Sequence, residues 1–316
     1  MLSKRKAFIV GIKSTKLSIL EKNFLKKHKP WGVILFSRNL KNFNQIQRLT
    51  ASIRFIFADK KYPILIDQEG GRVNRLYNLI ESSVFTSEYF GKLYKNNKKK
   101  FFLYYNVYLN QISYLLNQLG ININTVPVLD IKRLNSNKVI GDRSYSTKLN
   151  EVTFIGNYCI KNFLNKKIGT VIKHIPGHGL AKVDSHKKTP LVTKSTKYLY
   201  KHDFSAFKRT KSLFAMTAHI IFKNIDPKNT VTHSKKIINI IRKKIGFKNI
   251  LISDDLSMKS LKGSLKENTI KTFKAGCNIV LHCNANEKEM KIIGENSPLI
   301  NKFIIKKTSQ FYRILS

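Results

Sequence analysis

Short apolar runs alternate along the chain with longer amphipathic stretches. The runs are rich in Val, Ile and Leu and have the length of buried strands, whereas the stretches between them repeat apolar residues at helical spacing. This alternation predicts βαβ units around a parallel sheet. The predicted strands are Ala7–Gly11, Gly32–Phe36, Pro63–Asp67, Ile123–Leu129, Gly169–His174, Leu213–Ala218, Asn249–Asp254 and Asn278–His282.

Amphipathic helices are predicted between these strands, for example at Asn42–Ala58, Phe101–Leu119, Glu151–Lys166, Ser234–Ile245 and Ser264–Ala275. Eight strands is the number that closes an α/β barrel of the (β/α)8, or TIM barrel, type. We find no internal repeat and no linker rich in Pro, Gly or Ser, and a length of 316 residues suits either one large α/β barrel or two smaller domains. A doubly wound open sheet is the alternative architecture.

Polar side chains follow many of the predicted strands at the same end. They are Ser37–Asn39, Asp67–Arg72, Asp130, Lys173–His174, His219, Asp254–Asp255 and His282. In a barrel the carboxyl ends of the strands share one face, so these groups would converge there, whereas in another fold they would scatter. The sequence therefore predicts a functional site at that face.

The charge balance is strongly basic, with 59 Lys and Arg residues against 18 Asp and Glu residues and a formal net charge of +41. Such an excess ordinarily points to nucleic acid or anionic lipid. Here the lysines are spread along the whole chain, and we find no basic arm, zinc knuckle or helix-turn-helix signal. A nucleic-acid-binding protein stays the alternative from a different class, but no nucleic-acid partner is expected.

Three features bear on the cellular compartment. No apolar stretch approaches the roughly 20 residues of a membrane helix. The apolar run near the amino terminus is closed too early by Lys13 for a secretory signal, so it reads as the first strand. The three cysteines lack metal-ligand spacing and fit reduced thiols. We therefore expect a cytoplasmic protein without a membrane segment.

One short segment concentrates reactive side chains, and three interpretations of it are open. It contains Lys173, His174, His178, Asp184 and His186. A metal site is disfavoured by the adjacent lysine and by the absence of HExxH spacing. A structural role is the usual fate of a single histidine, and we expect it for His178. In the third interpretation Asp184 orients the imidazole of His186, whose other nitrogen then exchanges a proton near neutral pH.

Carboxylates mark two further segments. Asp67–Arg75 combines acids, paired glycines and arginines, which suits the binding of sugar hydroxyls, although a turn with a structural ion pair is the alternative. Arg143, taken by itself, reads as a surface arginine. Of Asp254 and Asp255, at most one is expected to face the barrel mouth, because neighbouring strand residues point to opposite faces. That carboxylate could be a nucleophile or a metal ligand.

Six parts of the sequence, in this order along nearly the whole chain, resemble the bacterial β-N-acetylhexosaminidases of glycoside hydrolase family 3 that act in peptidoglycan recycling. They are Ile34–Asn39, Asp67–Val73, Val126–Asp130, Lys173–Gly179 with Asp184–His186, Ala218–His219 and Ser253–Met258. The KHIPGHG and DSH loop followed by SDDLSM is a highly specific combination.

The resemblance implies a single-domain TIM barrel over residues 1–316 and a retaining hydrolysis of terminal β-linked N-acetylglucosamine, without a cofactor or metal. By matching position, Asp254 would be the nucleophile, and His186, oriented by Asp184, the general acid and then base. The residues that would bind the substrate are Asp67, Arg75, Arg143, Lys173 and His174. The expected substrate is a muropeptide or a chitobiose-like sugar, and the expected state is a monomer.

Three positions depart from the family pattern: Asp142 stands where the family usually has Glu, Ile175 where it has Phe, and Thr217 where it has Pro. None of them removes a reacting group. A β-glucosidase or a glycoside phosphorylase on the same scaffold is the alternative among enzymes, since a histidine in place of a carboxylic acid could favour phosphate as acceptor.

Overall fold

The computed structural model describes residues 2–133, 138–185 and 187–316. Eight parallel strands close into a barrel, which confirms the predicted (β/α)8 fold. The barrel strands are β1 (Lys6–Gly11), β2 (Pro30–Leu35), β3 (Ile64–Ile66), β4 (Ile123–Asn124), β5 (Gly169–Ile175), β7 (Phe214–Thr217), β9 (Ile250–Asp255) and β10 (Ile279–His282). Around the barrel they follow the order β1, β10, β9, β7, β5, β4, β3 and β2. Two further strands, β6 (Leu191–Val192) and β8 (Ile221–Phe222), pair outside the barrel and tie together the loops that follow β5 and β7.

Helices connect the strands and surround the barrel. They are α1 (Ile19–His28), α2 (Phe43–Phe57), α3 (Ser87–Asn96), α4 (Lys98–Gln118), α5 (Leu149–Asn165), α6 (Thr196–Lys201), α7 (Lys235–Ile240), α8 (Leu265–Ala275), α9 (Glu287–Asn296) and α10 (Lys302–Ile314). A π-helical turn at Ile241–Ile245 continues α7. Each helix predicted above is present, with small differences at its ends.

Local sequence signals set several helix starts. At α1 the Ser18 side chain accepts a hydrogen bond from the backbone N–H of Glu21, whose carboxylate accepts from Ser18 N in return. Ser264 and Glu267 make the same reciprocal pair at α8. Such capping boxes satisfy backbone N–H groups that have no partner within the helix.

The strands of the wall divide their side chains between two hydrophobic clusters. In β1, Ala7 and Ile9 belong to the cluster inside the barrel, while Phe8 and Val10 belong to the cluster beneath the helices. This alternation is the period of two that strand geometry imposes. The fourth predicted strand, Ile123–Leu129, was wrong at its end: the regular ladder stops at Asn124, and pairing with β5 resumes only as an isolated bridge between Val128 and Lys173, beyond Pro127, which has no N–H to donate.

Helix α10 packs against the amino ends of the strands. The Trp31 indole N–H donates to Thr308 Oγ1 over 2.9 Å, and the Phe311 ring lies 5.4 Å from that of Phe214, centroid to centroid. This end of the barrel is therefore filled by apolar side chains, and the opposite end carries the polar groups. In the described part of the chain, no helix combines the length and the apolar character that crossing a bilayer requires.

Candidate active site

A cavity of about 180 Å³ opens at the carboxyl ends of the barrel strands. This is smaller than pockets for drug-sized ligands, which run from about 300 to 1,000 Å³, and it suits a ligand of about one ring. Of the side chains predicted at the strand ends, Asp67, Glu69, Lys173, His174, Asp254 and Asp255 converge here. The polar residues that line it are Asp67, Glu69, Arg75, Arg143, Lys173, His174, His178, Ser185, Asp254 and Asp255.

The loop after β3 turns sharply so that its two ends meet. Gly70 has a φ of +92°, and a Cβ there would lie 2.3 Å from the carbonyl oxygen of Phe85, so this position requires glycine. The Gln68 side chain accepts from Arg75 N over 2.8 Å. These contacts bring Arg75 back to the strand end, where its Nη2 lies 3.6 Å from Asp67 Oδ2.

A buried ion-pair network forms the charged wall of the cavity. Lys173 Nζ lies 3.0 Å from Asp67 Oδ1 and 2.6 Å from Glu69 Oε1. Arg143 donates to both Glu69 oxygens over 2.8 Å, and only 14% of its side chain is exposed. The interpretation of Arg143 as a surface residue, from its segment alone, was therefore wrong, because a carboxylate 74 residues away holds it in the barrel mouth.

The network keeps its members ionised. Burial by itself would raise the pKa of Asp67, but Lys173 and Arg75 outweigh it and hold that pKa well below its ordinary value. At Glu69, too, burial by itself would raise the pKa, but Arg143 and Lys173 outweigh it and lower the pKa to about 2. Three cations thus surround two carboxylates, an arrangement that offers both donors and acceptors to a polyhydroxylated ligand.

Arg72 holds the loop that presents Arg143. Its Nε lies 2.9 Å from Asp142 Oδ1, and its Nη2 donates to the carbonyl oxygens of Lys138 and Val139 over 2.7 and 2.6 Å. Asp142 is one of the positions that depart from the family pattern. Asp142 reaches Arg72 in this chain, and their ion pair connects the two loops.

Asp130 anchors the histidine segment; it was among the polar groups predicted at the strand ends, but no role in the site was assigned to it. It is fully buried and accepts from the Nδ1–H of His174 over 2.7 Å and from the backbone N of His178 over 2.6 Å. Burial would raise the pKa of Asp130, but His174 lowers it overall. The Lys173–His174 peptide bond is cis, and both side chains line the cavity. The available signal was an acid at a strand end, which by itself does not identify its partners.

His178 connects the two ends of the loop that follows β5. Its Nε2 shares a hydrogen bond of 3.2 Å with Ser185 Oγ, and the ring is buried. Burial, reinforced by the neighbouring His174, lowers the pKa of His178 to about 4, so the ring is neutral at pH 7. This surrounding agrees with the structural role expected for His178.

Asp254 and Asp255 both border the cavity, which corrects the expectation that at most one could face it. Strict alternation fails here because the register with β10 slips: Ile252 pairs with Ile279, but Asp255 pairs with Leu281. The Asp255 carboxylate is occupied by Ser257 Oγ at 2.8 Å and by the backbone N of Cys283 at 3.3 Å. Asp254 Oδ1 accepts from Asp255 N over 2.8 Å.

The catalytic pair named by the resemblance is only partly described. Asp184 is half-buried, and its carbonyl oxygen accepts from Lys187 N and Lys188 N over 3.0 Å. His186 lies outside the described residues, so its pairing with Asp184 stays a prediction. Among residues 2–133, 138–185 and 187–316, no group of three or more His, Cys, Asp or Glu side chains could hold a metal ion.

Some of the predicted strand-end groups serve the fold and do not line the cavity. Arg38 Nε donates to the carbonyl oxygen of Ile12 over 2.9 Å. His219 is buried, with Nδ1 2.7 Å from Thr232 Oγ1 and Nε2 3.1 Å from the Asp255 carbonyl oxygen. Burial lowers the pKa of His219. This histidine therefore contacts the backbone at the carboxyl end of β9 and does not line the cavity.

Known proteins share this fold over nearly the whole chain. The family model described as "Glycosyl hydrolase family 3 N terminal domain" matches residues 7–305. A curated relative, the Beta-hexosaminidase of Haemophilus ducreyi, is 30% identical over 297 residues, which cover 90% of this chain and 83% of the relative. The solved structure of native NagZ from Neisseria gonorrhoeae has a TM-score of 0.87 at 27% identity, covering 97% of this chain and 89% of that one.

A further structure is of NagZ from the same organism in complex with N-trifluoroacetyl-D-glucosamine, with a TM-score of 0.85 at 26% identity, covering 97% of this chain and 90% of the other. A closed barrel with a small charged cavity at its carboxyl end, together with these similarities, defines a glycoside hydrolase. The chain belongs to glycosyl hydrolase family 3, which confirms the resemblance found in its motifs.

Proposed function

We propose that this chain is a retaining exo-β-N-acetylglucosaminidase, acting as a cytoplasmic, single-domain monomer without a cofactor. Its substrates would be peptidoglycan fragments of the GlcNAc–anhydro-muramyl peptide type, from which it removes terminal β-1,4-linked N-acetylglucosamine in cell-wall recycling. One observation carries the proposal: Asp254 borders the same small cavity as the charged network of Asp67, Arg75, Arg143 and Lys173. The relatives named β-hexosaminidase and NagZ support the choice of sugar.

In the first step the Asp254 carboxylate attacks the anomeric carbon while the glycosidic C–O bond breaks. His186 donates a proton to the departing oxygen, which leaves as a hydroxyl group. The product is a glycosyl ester on Asp254. A neutral imidazole could not donate this proton, so His186 must be protonated when the substrate binds, a state that Asp184 favours by its negative charge.

In the second step His186, now neutral, removes a proton from water. The resulting hydroxide attacks the anomeric carbon, the ester bond to Asp254 breaks, and the sugar leaves with its original configuration. Two inversions at one carbon give retention, as in retaining glycosidases that use two carboxylates. The imidazole replaces the usual carboxylic acid because its pKa lies close to neutral pH.

The network would hold the sugar in position for this chemistry. Asp67 is an ionised acceptor for hydroxyl groups, and Arg75, Arg143 and Lys173 are charged donors. His174 has its Nδ1–H committed to Asp130, which leaves Nε2 for the ligand. Hydrogen bonds with an ionised partner are about twice as strong as neutral ones, so these groups suit a ligand with many hydroxyls.

The test is turnover of an aryl β-N-acetylglucosaminide beside the matching aryl glucoside, with Asp254→Ala as the key variant. We expect the wild type to prefer the N-acetyl substrate and Asp254→Ala to lose at least roughly 10³-fold in kcat. His186→Ala should slow turnover while sparing binding. Asp226→Ala, which changes an aspartate outside the cavity, is the matched control. Full activity of Asp254→Ala would remove the mechanism.

A measurement of the product separates hydrolysis from phosphorolysis. In phosphate buffer the proposed hydrolase releases N-acetylglucosamine, whereas a phosphorylase would release the 1-phosphate of the sugar. Preferred turnover of the aryl glucoside would instead indicate a β-glucosidase.

A further inference from the structure

A second, larger depression lies beside the cavity, on the other side of the loop that follows β5. It has a volume of about 790 Å³ and is called the basic groove below. Its walls come from the chain after β4, from the loop after β5, and from β6 with the first turn of α6. Its charged and aromatic lining residues are Lys132, Arg133, Lys182, Lys194 and Tyr198.

The charge of the basic groove differs from that of the active-site cavity. Four of the eleven lining residues are cationic and none is an acid. In the cavity, by contrast, cations and carboxylates face one another in ion pairs. Glu88 and Asp203, which do not line the groove, pair with Lys132 and Arg133, so the charge that favours an anion comes mainly from Lys182 and Lys194.

Two of the cations are fixed in place and two are exposed. Lys132 Nζ lies 2.9 Å from Glu88 Oε2, and Arg133 Nη2 lies 2.9 Å from the buried carboxylate of Asp203. Lys182 and Lys194 are both exposed to solvent. The fixed pair shapes the wall, and the exposed pair is available to bind a ligand.

Tyr198 adds an apolar platform between cations. Its ring centroid lies 5.8 Å from Arg133 Cζ and 5.4 Å from Lys194 Nζ. Leu180 and Leu191 extend this apolar surface, and Leu191 is 49% exposed. The combination suits a ligand that carries both carboxylates and alkyl groups.

One loop separates the groove from the cavity and contributes residues to both. His178 and Ser185 line the cavity, whereas Leu180 and Lys182, between them in sequence, line the groove. On the opposite side, Lys132 follows closely after Asp130, which holds the cavity histidines. A ligand that extends out of the cavity past this loop therefore reaches the groove.

We propose that the basic groove binds the anionic part of the substrate's aglycone, a peptide-like group with free carboxylates. This inference rests on the proposed function, because it requires that the cavity take the terminal sugar. The small cavity would then accept one sugar ring, and Lys182 and Lys194 would bind the carboxylates that follow the leaving sugar.

The general basicity of the chain requires a matched control. Another depression, of about 620 Å³, is also lined by cations, namely Lys235, Lys236 and Arg242. It lies on the outer helices α7 and α8 and shares no lining residue with the cavity or the basic groove. Lys235→Gln/Lys236→Gln therefore removes the same charge as Lys182→Gln/Lys194→Gln at an unrelated site. Any effect of net charge alone would be equal in the two variants.

The experiment compares kcat/KM for two forms of one substrate, N-acetylglucosaminyl-anhydro-N-acetylmuramyl peptide with free carboxylates and the same compound with its carboxylates amidated. We expect Lys182→Gln/Lys194→Gln to lower the ratio of the carboxylated to the amidated rate roughly 3- to 10-fold, since each exposed charge contributes modestly. The effect should shrink in high salt. The control variant should keep the wild-type ratio.

An unchanged ratio in the groove variant, or an equal fall in the control variant, would overturn the inference. Failure of the proposed function looks different, because the wild type would then hydrolyse neither form. In that case direct binding of the free carboxylated peptide to the wild type and to the groove variant decides the matter. Equal affinity for the two proteins would reject the groove as an anion site, and weaker binding by the variant would support it.

Discussion

Replacing Glu69 by glutamine tests whether the ion-pair network organises the sugar site. Glu69 is almost fully buried and contacts both Arg143 and Lys173. The variant Glu69→Gln retains the shape and one acceptor oxygen but removes the negative charge. Arg143 then loses the carboxylate to which it donates twice and keeps one neutral acceptor oxygen, whereas Lys173 still has Asp67 at 3.0 Å and Thr125 Oγ1 at 2.9 Å.

The magnitude follows from the burial of the pair. Lowering the pKa of Glu69 from 4.5 to about 2 corresponds to roughly 3 kcal/mol in favour of the ionised form. Removing one partner of a buried pair costs about 3–5 kcal/mol, because the other charge stays buried. Since Lys173 retains two contacts, we expect the lower end, a decrease of about 3 kcal/mol in the free energy of unfolding. We expect kcat/KM to fall roughly 10- to 100-fold as Arg143 moves from its position.

The assay measures urea unfolding and aryl N-acetylglucosaminide kinetics in Glu69→Gln and in Glu295→Gln. Glu295 is the matched control, because its only ion pair in the described chain is with Lys291, at 3.9 Å, and 52% of its side chain is exposed. Such a pair contributes at most about 1 kcal/mol. The control should therefore unfold and turn over nearly as the wild type does.

The pH dependence gives a second signature. The folded-state pKa of Glu69 lies below its value in the unfolded chain, so its contribution is present above about pH 4.5 and is lost as pH falls towards 2. The difference in unfolding free energy between wild type and Glu69→Gln should therefore narrow in that range. If the two glutamine variants lose equal stability and activity at neutral pH, Glu69 does not organise the site and the reasoning is refuted.

Two other predictions concern the loop after β5. Asp130→Asn should lower the unfolding free energy by about 3 kcal/mol and raise KM roughly 10-fold, since one amide oxygen cannot accept from both the backbone and the imidazole donors. Calorimetry measures the stability and steady-state kinetics the KM. A wild-type KM would count against an anchoring role for Asp130. Gly179→Ala would place a Cβ 2.0 Å from the carbonyl oxygen of Ile131, so the loop must shift. We expect kcat/KM to fall at least roughly 10-fold as a result. Wild-type kinetics in this variant would show that the position of the loop does not affect turnover.

The sequence by itself determined the fold class and the face that carries the site. Strand and helix periods are local properties, because each depends on residues a few positions apart, and they located all eight barrel strands, with an error at the end of the fourth. The polar residues after Ile66, Ile172 and Ile252 were informative because parallel strands in a barrel must end on one face. The motifs, read together, identified the family.

Only the tertiary structure decided which side chains serve each other. Arg143 and Glu69 are 74 residues apart, and Asp130 and His174 are 44 apart, so no local pattern could reveal that these pairs meet. The slip between β9 and β10 that turns both Asp254 and Asp255 to the cavity depends on the pairing of two strands. A charge acquires its role from its partners and from its removal from water, and both are properties of the folded chain.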